Sequence, residues 1–162
     1  MSRVQLIERK ISELNHDDIP IIIISGPTGI GKSDLAISLA KKINGAIINA
    51  DSMQVYKELK IISSQPSDRD KTIISHYLYG LKPISCKFSV MEWLKLAKEK
   101  IDIIFSENKI PVIVGGTGLY IKSALNGISK MPKVDDSILD KSIQLFEKIG
   151  ILEFRKIVQE ID

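Results

Sequence analysis

The sequence predicts an α/β fold: a P-loop NTPase-like parallel sheet flanked by helices, with a mainly helical C-terminal end. Three observations carry it. The unbroken apolar run at residues 21–24 reads as a strand buried on both faces, the run at 110–114 as another buried strand, and that at 46–49 as a second short strand. Stretches of helical periodicity alternate with them, the pattern of right-handed crossovers in a parallel sheet. Each run leads into a turn rich in glycine or carrying an acid. In such sheets ligands sit at the carboxyl ends of the strands. Three turns at one rim therefore predict one site.

The first strand is four consecutive isoleucines, Ile21 to Ile24, followed by Ser25 and then GPTGIGKS at residues 26–33. That is the G-x-x-x-x-G-K-[ST] phosphate-binding pattern between a strand and a helix. Gly26, Pro27, Thr28, Gly29, Ile30, Gly31, Lys32 and Ser33 form the expected cradle. The glycines let backbone N–H groups turn toward an anion. Lys32 supplies a point charge, and Ser33 a hydroxyl for hydrated Mg²⁺. The helix that begins near Lys32 adds the positive end of its dipole. The motif specifies a diphosphate-bearing ligand and leaves the reaction open.

Residues 33–43 read as a helix with Leu35, Ala36, Leu39, Ala40 and Ile43 on one face. Gly45 is expected to end it, with Asn44 at the C-cap. The strand at 46–49 delivers Asp51. Residues 52–79 are polar and poorly periodic, longer than an ordinary connection, and read as a functional loop or small insert reaching to about residue 88. Ser89 and Glu92 have the spacing of a capping box. Val90, Trp93, Leu94, Ala97, Ile101, Ile104 and Phe105 then fall at helical spacing, which makes Trp93 a core residue before a base-stacking one. The strand at 110–114 has Pro111 near its start, and runs into Gly115-Gly116-Thr117-Gly118 and a helix to about Leu125, stopped by Asn126-Gly127. After Pro132 the pattern is helical, with Gly150 inside it. The expected organisation is a polar lead-in at 1–18 with a short helix around Val4 to Leu14, a core at 19–132, and a helical segment at 133–162.

The chain has 162 residues, enough for one compact domain, with 44% hydrophobic and 27% charged residues. No apolar run approaches a membrane span, and the first 18 residues lack the apolar core of a secretion signal, so a cytoplasmic protein is expected. Cys86 has no partner for an internal disulfide and reads as a small core or loop residue. His16 and His76 are too far apart in sequence to suggest zinc. A net charge of +3 permits a nucleic-acid partner without arguing for one.

Asp51 could hold Mg²⁺ through water, act as a general base, or be an exposed turn residue. Gln54 and Tyr56 follow it. Gln54 could read a base edge, or both could be ordinary loop residues. Thr117 could hold a phosphate or a leaving oxygen, or simply begin a helix.

Taken together, GPTGIGKS, INADSMQVYKELKIISSQPS, HYLYG at 76–80, FSVMEWLKLA and IPVIVGGTGLYIKSALNGIS closely resemble the tRNA dimethylallyltransferases, also called tRNA isopentenyltransferases. The matches are collinear from about Ile21 to Met131. The phosphate loop alone is shared widely, whereas its combination with ADSMQVY and VGGTGLY is specific. The resemblance implies transfer of a dimethylallyl group from dimethylallyl diphosphate to N6 of the adenosine next to the anticodon, in tRNAs that read codons starting with U. It implies that the loop serves the prenyl diphosphate and not ATP, with Mg²⁺ as cofactor near Ser33. It implies Asp51 as the base for the N6 proton, Lys32 and Thr117 as further catalytic residues, and Asp51, Ser52, Met53, Gln54 and Thr117 against the tRNA. It also implies a monomer for the complete protein.

Family members are usually about twice this length, and their second half carries an additional diphosphate arginine and much of the tRNA grip. The turn after Ile62 is Ser63-Ser64 where many members have Gly-Thr, and Leu139 stands where many have arginine. The resemblance therefore implies impaired transfer by these 162 residues alone. One alternative is a non-catalytic remnant that binds diphosphate or tRNA. A small-molecule P-loop kinase is a weaker one, opposed by ADSMQVY, VGGTGLY and the lack of a recognisable arginine-rich lid.

Overall fold

A computed structural model describes residues 3–13, 20–129 and 134–161. His16, Leu14, Met131 and Pro132 lie outside the described residues. The chain divides into two compact units, Met1–Ile128 and Ser129–Asp162.

The first unit is built on four parallel strands, β1 (Ile22–Ser25), β2 (Gly45–Asn49), β3 (His76–Tyr77) and β4 (Ile110–Gly115), in the spatial order β1-β4-β2-β3. Strand periodicity of two divides the apolar residues between the faces. Ile47, Val112, Val114 and Ile24 point to one face, with Ala36, Leu39 and Ala40 of α2 (Lys32–Lys42) and Val4 of α1 (Arg3–Ser12). Ile48 and Ile113 point to the other, with Trp93, Ala97 and Ile104 of α4 (Val90–Ser106) and Tyr120 of α5 (Gly118–Asn126). The N-terminal helix is thus more than a polar lead-in: Val4 joins the core.

The region expected as a loop has structure of its own. It contains a 3₁₀ turn at Lys57–Leu59, α3 (Asp68–Ile73) and the edge strand β3. None of these has enough apolar residues for a periodic signal. Helix α3 begins with a complete capping box, in which Ser67 Oγ accepts from Asp70 N–H and the Asp70 carboxylate accepts from Ser67 N–H. The box expected at Ser89 is only half made. Ser89 Oγ accepts from Glu92 N–H at 3.1 Å, but Glu92 turns its carboxylate to Lys82 Nζ at 2.8 Å.

A second correction concerns the end of α2. Asn44, with φ of 52°, takes the left-handed position that follows the helix, and Gly45 opens β2 instead of ending α2. A Cβ at Gly45 would press on the Ile110 carbonyl oxygen at 3.1 Å and Ala40 Cα at 3.2 Å, so packing sets the residue type there. Trp93 is fully buried and Cys86 is exposed in a loop.

The second unit carries α6 (Asp136–Ile161), which Gly150 interrupts with non-helical φ 74° and ψ 172°. The rings of Phe146 and Phe154 meet edge to face across the break, centroids 5.4 Å apart. No residue of α6 is buried, and Ile138, Leu139 and Phe146 are among its exposed apolar side chains.

A candidate active site at the strand ends

The phosphate loop leaves β1 at Ser25 and enters α2 at Lys32. Gly29 and Gly31 have φ of 85° and 81°, and a Cβ at either would touch nothing. Backbone conformation, not space, therefore demands glycine there. Gly31 is the N-cap of α2 and offers no side chain to the helix. The helix's first N–H groups are left for an anion. Lys32 folds back over the loop and donates from Nζ to the Pro27 carbonyl at 2.6 Å, which stations its ammonium where the loop closes.

Beside the loop lies the turn after β2. Asn49, fully buried at the end of the strand, accepts the Asp51 N–H on Oδ1 at 2.8 Å. Its Nδ2 donates to the carbonyls of Asp51 at 2.9 Å and Leu78 at 3.0 Å. The Asp51 carboxylate accepts the Met53 N–H on Oδ1 at 2.9 Å. The third turn follows β4. Its Thr117 Oγ1 accepts the Ser52 N–H at 2.9 Å and donates to Ser52 Oγ at 3.3 Å.

The close approach of these turns fixes two glycines. A Cβ at Gly115 would overlap the carbonyl group of Ala50. A Cβ at Gly116 would stand 3.4 Å from the Gly26 carbonyl oxygen and 3.9 Å from Asp51 Oδ2. Gly116 thus sits where the loop, the Asp51 turn and its own turn come together.

The result is a cleft of about 260 Å³ lined by Thr28, Gly29, Gly31, Lys32, Ser33 and Asp51, with Gln54, Ser63, Ser64 and others completing the wall. Gln54 Nε2 is committed to the Ser63 carbonyl at 2.6 Å. Of the other expected residues, Gly26, Pro27 and Ile30 shape the loop without lining the cleft. Ser52 and Thr117 brace its edge, and Met53 is exposed. Sequence reasoning missed Asp34, Ser63, Ser64 and Asn49. Asn49 did carry a signal, as the one amide in an apolar strand.

A second cavity, about 240 Å³, adjoins the cleft and shares Ser33, Asp34, Ser64 and Val114 with it. His76 and Tyr79 line it, their rings edge to face with centroids 5.7 Å apart. Burial, and then the negative charge of Asp51, hold the Tyr79 phenol well above its ordinary value, so it stays neutral. Burial pushes the His76 imidazole down, partly opposed by its bond to the Ile74 carbonyl and by Asp70.

Serine and carboxylate oxygens beside a phosphate loop are hard donors of the kind Mg²⁺ takes, so the cleft fits that ion. Among the described residues no cluster of three His, Cys, Asp or Glu stands ready to hold a metal by itself.

The family model described as "IPP transferase" matches residues 54–162, and that described as "Isopentenyl transferase" matches residues 19–79. The chain belongs to the IPP transferase family. It is 46% identical over 142 residues to a tRNA dimethylallyltransferase of Pelagibacter ubique, covering 88% of this chain and 45% of the relative. A tRNA dimethylallyltransferase of Ehrlichia ruminantium is 43% identical over 142 residues, covering 88% of this chain and 47% of that one. Among solved structures, the full-length tRNA isopentenylpyrophosphate transferase of Bacillus halodurans aligns with a TM-score of 0.67 at 29% identity, over 90% of this chain and 48% of that one. A eukaryotic dimethylallyltransferase acting on tRNA aligns with a TM-score of 0.67 at 34% identity, over 75% and 31% of the two chains. The chain spans less than half the length of the curated relatives it matches.

Proposed function

We propose that this family member takes part in dimethylallyl transfer from dimethylallyl diphosphate to N6 of the adenosine next to the anticodon of tRNAs reading U-starting codons. The observation that supports it most is the single cleft shared by the phosphate loop and Asp51. One wall suits a diphosphate and the other presents a carboxylate, as a reaction between a prenyl diphosphate and an amine requires.

In this reading the loop N–H groups and Lys32 hold the diphosphate. The bond from prenyl C1 to the diphosphate oxygen breaks as the bond from N6 to C1 forms. The N6 proton passes to Asp51, which compensates for the poor nucleophilicity of an aromatic amine. Lys32 and the N–H groups receive the charge that grows on the leaving diphosphate. Ser33 would hold Mg²⁺, which supplies further neutralisation of that charge. The turn at Asp51 to Gln54, with Thr117 bracing it, faces the extruded base. This reading puts the protein in the cytoplasm, with a monomer as the complete form. No described helix is long and apolar enough to cross a membrane.

The test uses the 162-residue chain, unmodified tRNA, dimethylallyl diphosphate and Mg²⁺, with digestion to detect the prenylated adenosine and calorimetry for the diphosphate. The expected outcome is that Asp51→Asn keeps diphosphate affinity and loses whatever transfer the wild type shows. Joint loss of affinity and transfer would make Asp51 a metal-holding acid. Binding of diphosphate and tRNA with no turnover would make the chain a binding module. Phosphorylation from ATP would return the small-molecule kinase reading.

A further inference from the structure

We infer that Asn49 is a positioning residue that sets the place of the Asp51 carboxylate through the backbone of Asp51. The inference rests on the proposed role of Asp51. The geometry behind it begins with where the sheet stops. The last pair of β2 with β4 is Asn49 with Val114, and the last with β3 is Ile48 with Tyr77. Asp51 lies beyond both ladders. The Asn49 side chain continues the ladder in their place, accepting from the Asp51 N–H and donating to the Asp51 carbonyl.

Both N–H groups and the oxygen of the Asn49 carboxamide are bonded. Its second N–H goes to the carbonyl of Leu78, a residue held at φ 65°. The orientation of the amide is fixed by its partners, since one side meets an N–H and the other meets two carbonyls. The Asn49 backbone is held in turn: its carbonyl accepts Trp93 Nε1 at 2.7 Å, and the Trp93 ring stacks on Tyr120 with centroids 4.7 Å apart. None of these bonds involves residues 26–33. Asp51 is thereby placed relative to the core, through bonds independent of the phosphate loop.

No other side chain of this size makes the same three bonds. Aspartate keeps the acceptor but sets a buried oxygen against two carbonyls. Alanine takes the side-chain donor from the Leu78 carbonyl and leaves the Asp51 carbonyl with the Gln54 N–H alone. Misplacing a reacting group by about 1 Å costs on the order of 10²-fold in rate.

The experiment follows the Asp51 amide by NMR in wild type, Asn49→Asp and Asn49→Ser, alongside calorimetry of Mg²⁺–pyrophosphate and the transfer assay. The wild-type Asp51 amide is expected to exchange about 10²-fold or more slower than an open turn amide, a reading that needs no variant. In a folded variant that protection falls at least about ten-fold, while pyrophosphate affinity stays within about two-fold. Where the wild type transfers, kcat falls on the order of 10²-fold with KM for the prenyl diphosphate little changed. An unprotected wild-type amide, or a folded variant with unchanged exchange, overturns the inference. So does loss of pyrophosphate affinity in step with protection, which would make Asn49 merely structural. Absence of transfer in the wild type bears on the proposed function alone, and the exchange results still decide the role of Asn49.

Discussion

Two turns meet at the cleft, and they are held in opposite ways. The phosphate loop relies on its own backbone: Gly29 and Gly31 in left-handed conformations, an N-cap without a side chain, and Lys32 bonded to the carbonyl of Pro27. The Asp51 turn is braced from outside by Asn49 on one side and by Thr117 on the other. A diphosphate spreads its charge over several oxygens, so N–H groups can gather around it from many directions. A proton must leave along one direction, so the group that takes it has to be aimed beforehand. The difference between the two turns follows the difference between holding charge and moving a proton.

The strongest way to break the comparison is at the junction. Gly115→Ala would drive a Cβ into the Ala50 carbonyl, which is backbone and cannot rotate away. The expected cost is on the order of 3 kcal/mol, at the upper end for an overpacked core, with pyrophosphate binding lost together with the Asp51 amide protection. Thermal unfolding and calorimetry check it. A variant as stable as wild type would show that β2 and β4 can separate at this end without harm.

Lys32→Ala acts on one turn only. Losing a hydrogen bond to a charged group, about 1.5–3 kcal/mol, predicts roughly ten- to a hundred-fold weaker pyrophosphate binding. The Asp51 amide should stay protected and the melting temperature nearly unchanged, because Lys32 Nζ bonds only the exposed Pro27 carbonyl. Equal affinity for wild type and variant would remove Lys32 from the site.

The same contrast explains what was legible in the sequence. A phosphate loop is a local motif, so its eight residues announce it, and the apolar runs fix three of the four strands. Braces between distant segments leave no such mark. Asn49 reaches Leu78 across 29 positions and Thr117 reaches Ser52 across 65, and neither spacing is a pattern. Strand β3 is two residues long and α3 six, too short for periodicity to register. The one capping box that the spacing offered, at Ser89, is half made because Lys82 competes for Glu92. The complete one, at Ser67, has aspartate in place of the usual glutamate or glutamine.

That second box supports the wall of the cleft from a distance. Ser67 and α3 follow Ser63 and Ser64, which line it. Ser67→Ala removes a helix cap and should cost about 1 kcal/mol. Hydrogen exchange should show the loss confined to residues 63–73, with Asp51 unaffected. A spread to the Asp51 amide would mean that the segment and the brace are one cooperative unit.

The smallest expected effect is a pH dependence, and its pH window separates two supports of the same segment. His76 Nδ1 donates to the Ile74 carbonyl at 2.8 Å, and the ring faces Tyr79 with Asp70 and Lys71 nearby. Burial holds its folded value below the ordinary 6.5. The unfolded chain therefore takes up the proton first as pH falls. Stability is full above 6.5 and is lost as pH falls from there through the lower folded value. Asp70 behaves alike in a lower window. Its bonds with Ser67 hold it below 3.8, so its contribution is full above 3.8 and is lost as pH falls through its folded value. Denaturant unfolding measured from pH 7.5 to 4.5 should thus show a decline that His76→Phe abolishes and Asp70→Asn leaves in place. If His76→Phe keeps the whole decline, some other group titrates in that range and the imidazole is not the half-buried base that its surroundings describe.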